Sequence, residues 1–349
     1  MPYKLWHYFF IFSNNIYLNI HNKYIGDVNM NKKYLDFRTD MADERVDTYK
    51  RVHNFSENDG VKVETISDKG IITTVVDVLN ENGEKAVLKR KGKYITIEIK
   101  DIGYIDEKDK ERIQKHLADN IKTLIGNDKK KSLMVVGLGN IAVTPDALGP
   151  KVIQNIEITR HLLNYAKELV EPGTREVSAI SPGVLGTTGI ETSEIIHSVV
   201  TKIKPDMLIV IDSLASSSIH RIGSTIHLSN TGITPGEGVR NKRDALDEAN
   251  LGIPVIAIGV PTVVDMATIT NETIDKMIEK TKEEINEFNT NNINQEEFIK
   301  ALEVFENDAR YDMVSNILDT QNYIVTPKEV DELISKMSEM IANGINIAI

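Results

Sequence analysis

Residues 133–150 have the sequence LMVVGLGNIAVTPDALGP, and this stretch decides the fold. It opens with a short apolar, β-branched run, which is typical of a strand buried on both faces of a parallel sheet. A second run of this kind, MLIVIDSLA, covers residues 207–215. Each run delivers one aspartate at or just past its carboxyl end, Asp146 and Asp212 respectively. Because ligands bind outside the carboxyl ends of the strands in open α/β sheets, we expect the two carboxylates to share a crevice.

Other segments extend this pattern on both sides. Strands are predicted at residues 177–180, 207–212, 224–229 and 254–259, and helices at 151–167 and 191–200. Upstream, a β meander is predicted at 61–66, 70–78 and 94–99, with turn signals such as the Asn-Glu-Asn-Gly of residues 80–83, followed by a helical stripe at 106–125. The predicted fold class is therefore α/β, a three-layer, mostly parallel sheet flanked by helices, with an added N-terminal β meander.

The domain organisation follows from changes in composition along the 349 residues. Residues 1–29 are interpreted as a doubtful upstream extension, because Met30 begins an ordinary start. A single domain is predicted over 41–349, with a β-rich part at about 60–100 and a core at about 131–275. A helical insertion rich in Glu, Asn and Lys is predicted at about 279–320. A C-terminal helix is predicted at 327–343, with Thr326 as N-cap, Pro327 at the first helical position and Glu329 completing a capping box.

The overall charge and the residue types exclude several classes of function. With 41 Lys and Arg against 52 Asp and Glu, the net charge of -11 argues against direct binding of nucleic acid. The absence of cysteine excludes disulfides, Cys-ligated metals and a thiol nucleophile. The apolar piece from Tyr8 to Phe12 is too short to span a bilayer, and no signal peptide is visible. We therefore expect a cytoplasmic protein that uses no cofactor and does not associate with a membrane.

Two carboxylates in one crevice suggest two kinds of chemistry. Asp146 alone, following Thr144 and Pro145, is best explained as a helix cap. Asp212 ends a buried strand, where a carboxylate needs either a binding partner or a functional role. As a pair, one ionised carboxylate can draw a proton from water while the other, protonated, polarises a carbonyl, and this combination hydrolyses peptide bonds. The rival use is as metal ligands, which His161, His197 or His227 would complete. No metal-ligand spacing such as H-E-x-x-H occurs, so we expect no metal.

Glycines next to the two strands indicate how the crevice is built. The segment from Gly137 to Ala142 fits the loose dinucleotide-binding pattern, but Pro145 follows too soon for the glycines to open directly into a helix. We interpret the segment as a tight turn whose backbone N–H groups, at Gly139 and Asn140, face the crevice and could stabilise an oxyanion. A nucleotide-binding module remains a non-enzymatic alternative. The glycine-rich loop with Gly183 and Gly186 is predicted to lie close to other backbone and to line the site. Residues 216–218, all serine, are interpreted as a polar loop, since no G-x-S-x-G elbow surrounds them.

From about Tyr34 to the C-terminus the chain resembles the germination protease family of spore-forming Firmicutes, and a clostridial source is expected. The segments that carry the resemblance are FRTDMADE (37–44), VVGLGN (135–140), VTPDALGP (143–150), TRHLL (159–163), SPGVLGTTGIETSEII (181–196), KPDMLIVIDSLA (204–215), NTGITPGEGVRNKR (230–243), LGIPVIAIGVPTVVDMATI (251–269) and VTPKEVDELI (325–334).

The resemblance implies an activity and the residues that perform it. The family's two proposed catalytic aspartates match Asp146 and Asp212, and its members are endopeptidases that degrade small acid-soluble spore proteins during germination. The family is similar in fold to the hydrogenase-maturation proteases, which have a phosphorylase/hydrolase-like fold and bind metal at the corresponding strand ends. A nickel-dependent, maturation-type peptidase on this scaffold is therefore the alternative to an aspartic-type, metal-free enzyme.

The resemblance also implies how the enzyme is made and assembled. Members are zymogens that remove an N-terminal propeptide by self-cleavage at a site similar to their substrates. The matching segment here predicts a propeptide over residues 30–40 and cleavage between Asp40 and Met41. Taken without the resemblance, the same residues would be a solvated helix start. The family further implies a homotetramer located in the forespore and spore core.

Overall fold

A computed structural model describes residues 41–52, 59–100, 102–235, 244–287, 314 and 323–349, and these belong to one compact unit. The strands are β1 (Val61–Asp68), β2 (Ile71–Val78), β3 (Gly92–Ile99), β4 (Leu133–Gly137), β5 (Val177–Ile180), β6 (Met207–Ala215), β7 (Thr225–Ser229), β8 (Val255–Asp265) and β9 (Ile324–Val325). The α-helices are α1 (Ala42–Val52), α2 (Glu81–Val87), α3 (Glu107–Ile125), α4 (Leu148–Ile153), α5 (Arg160–Tyr165), α6 (Leu185–Thr188), α7 (Thr192–Ile203), α8 (Glu248–Leu251), α9 (Met266–Glu287) and α10 (Val330–Ala348).

The described strands form one nine-stranded sheet with the order β1-β2-β3-β7-β8-β6-β4-β5, and β9 pairs with β8 outside this path. The strands β5, β4, β6 and β8 are parallel neighbours. The meander β1-β2-β3 is antiparallel and joins the parallel strands through β7, which is antiparallel to both β3 and β8. The predicted α/β class and the parallel core are confirmed, and the meander proves to be part of the same sheet.

The direction of β7 follows from the short connection before it. Only a 3-10 turn, Ile219–Arg221, stands between β6 and β7 among the described elements. A parallel neighbour would need a long crossover, normally an α-helix, to carry the chain back to the starting edge. The chain therefore enters β7 from the edge where β6 ends and runs antiparallel to β8.

Helices cover both faces of the sheet and produce three layers. On one face, α3, α4 and α10 pack against alternate residues of β4 and β6, including Leu133, Val135 and Ile209. The intervening residues point to the opposite face, where Met134 and Leu208 pack with Ile196 of α7. A smaller apolar cluster on that face joins α1 and α2 to the meander. Asp212 has the parity of Leu208 and Val210, so it faces the α7 side.

The helix predicted over 151–167 is wrong, because the structure has two short helices there, α4 and α5. The interruption is explained by Thr159, which is tied to the strand edge beside it. Its N–H donates to the Val177 carbonyl over 3.1 Å, and its hydroxyl donates to the Arg175 carbonyl over 2.6 Å and accepts from the Val177 N–H over 2.8 Å. These three bonds hold the chain against β5 instead of letting the helix continue.

The Asn-Glu-Asn-Gly segment at residues 80–83, predicted as a turn, opens the helix α2. Asn80 is its N-cap, and the side-chain oxygen accepts the N–H groups of Asn82 and Gly83 over 3.0 and 3.2 Å. The residue types that favour turns are those that cap helices, since both depend on a short side-chain acceptor next to free N–H groups. The helix ends at Val87 and leads into residues 88–90.

The C-terminal helix begins three residues later than predicted and extends to Ala348 instead of 343. The proposed capping residue Thr326 does not cap it, because its hydroxyl donates to the Thr262 carbonyl over 2.9 Å. Glu329 occupies the N-cap position without a side-chain hydrogen bond. The hydrogen bond of Thr326 to β8 therefore replaces the N-cap hydrogen bond that the sequence predicts.

The region predicted as a helical insertion is described only at its start. The helix α9 runs without a break from Met266 to Glu287, so no boundary occurs at residue 279. Of the remaining residues of that prediction only Val314 is described, and it is buried. None of the helices in the described ranges is long and apolar enough to cross a membrane.

Candidate active site

The register of β4 and β6 brings the two predicted aspartates to one edge of the sheet. Gly137, the last residue of β4, pairs with Ile211 of β6, and the next N–H, that of Leu138, donates to the Ile211 carbonyl over 2.8 Å. Asp212 follows directly on β6. The loop after β4 then forms the 3-10 turn Thr144–Asp146, which packs against β6 and β8. Both carboxylates therefore lie at the carboxyl edge of neighbouring parallel strands.

Asp146 is held by the glycine turn that precedes it. Its Oδ2 accepts the backbone N–H of Asn140 over 2.8 Å, and Gly139 lies so close that a Cβ there would be 2.0 Å from the Asp146 carbonyl oxygen. Gly139 also has φ +110°, a conformation that L side chains avoid. The Asn140 N–H thus positions the carboxylate, a different task from the oxyanion contact expected from the sequence. Asp146 itself is half-buried.

Asp212 is buried, with 8% of its surface exposed. Its Oδ1 accepts the N–H of Ser213 over 2.9 Å. Across the sheet it pairs with Gly259 of β8, which pairs in turn with His227 of β7. Residues in register on neighbouring strands share one face, so Asp212 and His227 face the same side of the sheet with a glycine between them.

The predicted site wall with Gly183 and Gly186 follows β5, next to β4, at the same edge. The expectation that these glycines lie close to other backbone is wrong for Gly186, since a Cβ there would meet nothing within 4 Å. At Gly183 a Cβ would meet the side chains of Thr188 and Thr187 at 3.2 and 3.3 Å, both within the same loop. Gly183 therefore packs against the short helix α6 that follows it, and the site-lining role of this segment stays a prediction.

The histidines considered as metal ligands are spread over the fold. His161 and His197 are exposed on α5 and α7, and His227 is buried with Nδ1 3.1 Å from the Thr96 hydroxyl. Among the described residues, no group of three or more His, Asp and Glu side chains is arranged to hold a metal ion. The glycine pattern at 137–142 also fails the dinucleotide requirement, because the helix α4 begins only at Leu148.

A buried ion cluster that the sequence analysis did not anticipate lies on the same side of the sheet as Asp212. Arg221 forms ion pairs with Asp43 and, over 3.6 Å, with Glu44, the first acids of α1. It also contacts Glu98 of β3 over 3.2 Å. Asp43 and Glu44 are only 5% and 7% exposed, so the solvated helix start considered from the sequence does not occur.

Hydrogen bonds attach these acids to the strands as well. Asp43 accepts the Thr96 hydroxyl over 3.0 Å, while Glu44 accepts the Ser216 hydroxyl over 2.9 Å and the Ser217 N–H over 3.1 Å. The serines after β6 therefore bind α1 and form the polar loop that was predicted. Burial raises the pKa of Glu98, the neighbouring carboxylates add to this, and Arg221 opposes it. Only the resemblance in residues 37–44 could have drawn attention to this cluster.

The comparison with known proteins decides the family. Residues 38–311 match the family model described as germination protease. The chain belongs to the germination protease family. Curated relatives include the germination protease of Clostridium tetani, 46% identical over 317 residues that cover 90% of this chain and 96% of the relative. The enzyme from Clostridium acetobutylicum is 44% identical, covering 89% and 94%, and that from Caldanaerobacter subterraneus is 45% identical, covering 90% and 94%.

This membership gives the site its chemical context. The chain is a germination protease by family, hence a peptide hydrolase of spore formers, and the family match includes both Asp146 and Asp212. Among solved structures it is similar to the [NiFe] hydrogenase maturation protease HycI of Thermococcus kodakarensis, with 21% identity and a TM-score of 0.27. That match covers 41% of this chain and 80% of the other, and a TM-score this low supports no conclusion about the site.

We expect Gly139→Ala to lower kcat/KM for a protein substrate about 100-fold, because the new Cβ must displace Asp146 and small misplacements of reacting groups cost about that much. The measurement is steady-state proteolysis together with a thermal melt. Gly103→Ala is the control, since a Cβ there would meet nothing within 4 Å. Equal activity of the two variants would contradict the positioning role of Gly139.

We expect Arg221→Met to lower the free energy of unfolding by about 3–5 kcal/mol, because it leaves buried carboxylates without their cation. Urea denaturation measures the change. The control is Lys93→Met, which removes a pair with Asp77 at 2.8 Å whose partners are 39% and 27% exposed and should cost about 1 kcal/mol or less. A similar loss in both variants would show that burial of the Arg221 cluster has no energetic consequence.

Proposed function

We propose that this germination protease is an endopeptidase that degrades small acid-soluble spore proteins during germination, using Asp146 and Asp212 to activate water. The observation that carries the proposal is the family match over residues 38–311, which includes both aspartates. The placement of both residues at the carboxyl edge of β4 and β6 supports it, since this edge is where α/β sheets bind ligands.

The two carboxylates divide the reaction between them. One, ionised, takes a proton from water as the water oxygen attacks the peptide carbonyl, and the other, protonated, donates a hydrogen bond to the carbonyl oxygen. Collapse of the tetrahedral intermediate expels the amine, which receives the transferred proton. The hydrogen bonds from the Asn140 and Ser213 N–H groups hold each carboxylate in place.

We further propose that the chain is made as a zymogen, with residues 30–40 as propeptide and self-cleavage between Asp40 and Met41. Asp40 lies outside the described residues. Met41 and Ala42 are fully buried, and the bonds of Asp43 and Glu44 to the sheet begin immediately after the cleaved bond. A chain that starts at Met41 therefore retains the contacts that attach α1 to the fold. A homotetramer in the forespore and spore core completes the proposal.

Cleavage of a small acid-soluble spore protein, followed by mass spectrometry, tests the role of the aspartates. Asp146→Asn and Asp212→Asn should each lower kcat/KM by at least about 1,000-fold, because an amide neither accepts the proton from water nor supplies one. Asp265→Asn is the control, since Asp265 is buried to a similar degree and caps α9 through Thr268, a task that Asn also performs.

The same assay with a chelator separates the two mechanisms. Wild-type activity that is unchanged by chelator, together with loss in both aspartate variants, supports the metal-free pair. Loss of wild-type activity with chelator, restored by nickel, would replace it with the metal-dependent, maturation-type mechanism. Normal cleavage by Asp212→Asn would show that the site assignment is wrong.

The zymogen proposal predicts the N-terminus of the processed chain. On incubation, intact wild-type protein should yield a product that begins at Met41, whereas full-length Asp212→Asn should keep its N-terminus. N-terminal sequencing by mass spectrometry distinguishes them. Processing at another bond would move the propeptide boundary, and processing of the inactive variant alone in solution would mean that the cleavage is not autocatalytic.

A further inference from the structure

The first turn of α1 places two acidic side chains next to Met41. Met41 immediately precedes the helix, and its carbonyl accepts the first helical hydrogen bond, from the Arg45 N–H, over 3.4 Å. Asp43 and Glu44 follow within the first turn. Glu44 is the third residue of the helix, the position from which an acidic side chain reaches back to the N–H of the residue before the helix. The backbone nitrogen of Met41 therefore lies within one helical turn of both acidic residues.

The surroundings of Met41 are buried and negatively charged. Met41 is fully buried, and its sulfur lies 4.0 Å from Nη1 of Arg221. Arg221 is shared by three carboxylates, those of Asp43, Glu44 and Glu98. Burial raises the pKa of Glu98, and the carboxylates of α1 raise it further, although Arg221 acts in the opposite direction. An additional positive charge at this point would therefore be stabilised.

Cleavage between Asp40 and Met41, as proposed above, creates such a charge. Hydrolysis adds one water to the peptide bond and leaves a new carboxylate on Asp40 and an amine on Met41 that is protonated at neutral pH. The Met41 nitrogen then carries three donors instead of one, and it lies one turn from the buried acids. In the intact chain the same atom is a neutral amide. Processing thus changes the charge balance of the cluster without changing any side chain.

We propose that the α-ammonium of Met41 joins the ion cluster, pairs with Asp43 and Glu44, and stabilises the docking of α1 on the sheet in the processed enzyme. The inference rests on the proposed self-cleavage and adds to it a role for the new N-terminus. Glu44 is hydrogen bonded to residues 216–217, which directly follow β6, the strand that carries Asp212. The ammonium is therefore a positioning group, which acts on the catalytic strand through α1 and does not touch the substrate.

The test places a free amine either on Met41 or one residue before it. In the full-length chain, residues 35–40 are replaced by a recognition sequence for an endoprotease that cuts directly after it. In the matched control a glycine is also inserted before Met41. Both proteins are folded first and then cut in dilute urea, and mass spectrometry confirms each N-terminus. The control keeps every side chain from Met41 onward but moves the ammonium by about 3.8 Å, the spacing of consecutive Cα atoms.

The two proteins should differ in the pKa of the amine and in stability. We expect the amine of Met41 to have a pKa at least about one unit above the 7.7–8.0 of an unperturbed terminus, and the amine of the control to be unshifted, as measured by NMR titration. A raised pKa stabilises the folded protein below the pKa of the unfolded chain, so at pH 7 the unfolding constant in urea should be at least about tenfold smaller than that of the control. The difference should disappear as the pH rises through the raised value. The ratio of the two kcat/KM values should fall with the same pKa.

Other ionisable groups do not imitate this change. The described residues around the cluster include Asp43, Glu44, Asp47, Tyr49, Lys89, Tyr94, Glu98, Arg221 and His227. Burial lowers the pKa of His227 to about 4, and it raises the pKa of both tyrosines, that of Tyr94 to about 12. The carboxylates stay ionised and Arg221 stays charged from pH 7 to about 10. Any titration of Lys89 is common to both proteins and cancels in the comparison.

A side-chain variant identifies the partner of the ammonium. Asp43→Asn in the protein that starts at Met41 should remove most of the rise in the amine pKa, while the amide oxygen can still accept the Thr96 hydroxyl. Asp77→Asn is the matched control, because Asp77 lies on β2 and pairs with Lys93 outside the cluster. It should leave the amine pKa unchanged.

The outcomes separate this inference from the proposed function. An unshifted amine on Met41, equal unfolding constants of the two proteins at pH 7, or equal effects of the two Asp→Asn variants overturns the inference while the protease function stands. If neither protein cleaves an acid-soluble spore protein, the proposed function fails, and the amine pKa still decides whether the N-terminus joins the cluster.

Discussion

The hydrogen bonding of β8 on both sides is the constraint on which the site depends. This strand, Val255–Asp265, is parallel to β6 on one side and antiparallel to β7 on the other, so it joins the parallel core to the meander. Its register aligns Asp212, Gly259 and His227 in one row across three strands. Because a shift of one residue would reverse the facing of every side chain, the carboxylate of Asp212, the glycine and the imidazole of His227 are positioned together.

Runs of buried apolar residues made the sheet predictable. The strand at 177–180 has the predicted bounds, and β4 and β6 stand where continuous apolar runs place them, because strands covered on both faces must be apolar throughout. The edge shared by Asp146 and Asp212 follows from the same signal. The predictions that failed concern where individual helices begin and end. The broken helix after α4 and the delayed start of α10 depend on contacts of Thr159 and Thr326 with distant strands, which no local pattern reports.

The ion cluster and the alignment of Asp212 with His227 were beyond prediction for a related reason. Asp43 and Arg221 are 178 residues apart, and their attraction exists only after the sheet has formed. In the sequence, Asp43 and Glu44 belong to an ordinary charged segment. Their interactions become energetically important only because both side chains are buried in the folded protein. Likewise Gly259 is one glycine in an apolar strand of the sequence. Only the register of the folded sheet places it between Asp212 and His227.

The attachment of α1 has a consequence for the order in which the chain folds. Glu44 can form its hydrogen bond only once Ser216, 172 residues downstream, is in place, and Asp43 likewise needs Arg221 for its ion pair. Contacts across so many residues require closure of a long loop, so they form late relative to local helices and hairpins. During synthesis the N-terminal segment therefore leaves the ribosome well before its binding surface exists. Docking of α1 comes after β6 and the turn that carries Arg221 have formed, so the first described helix joins the sheet at a late stage of folding.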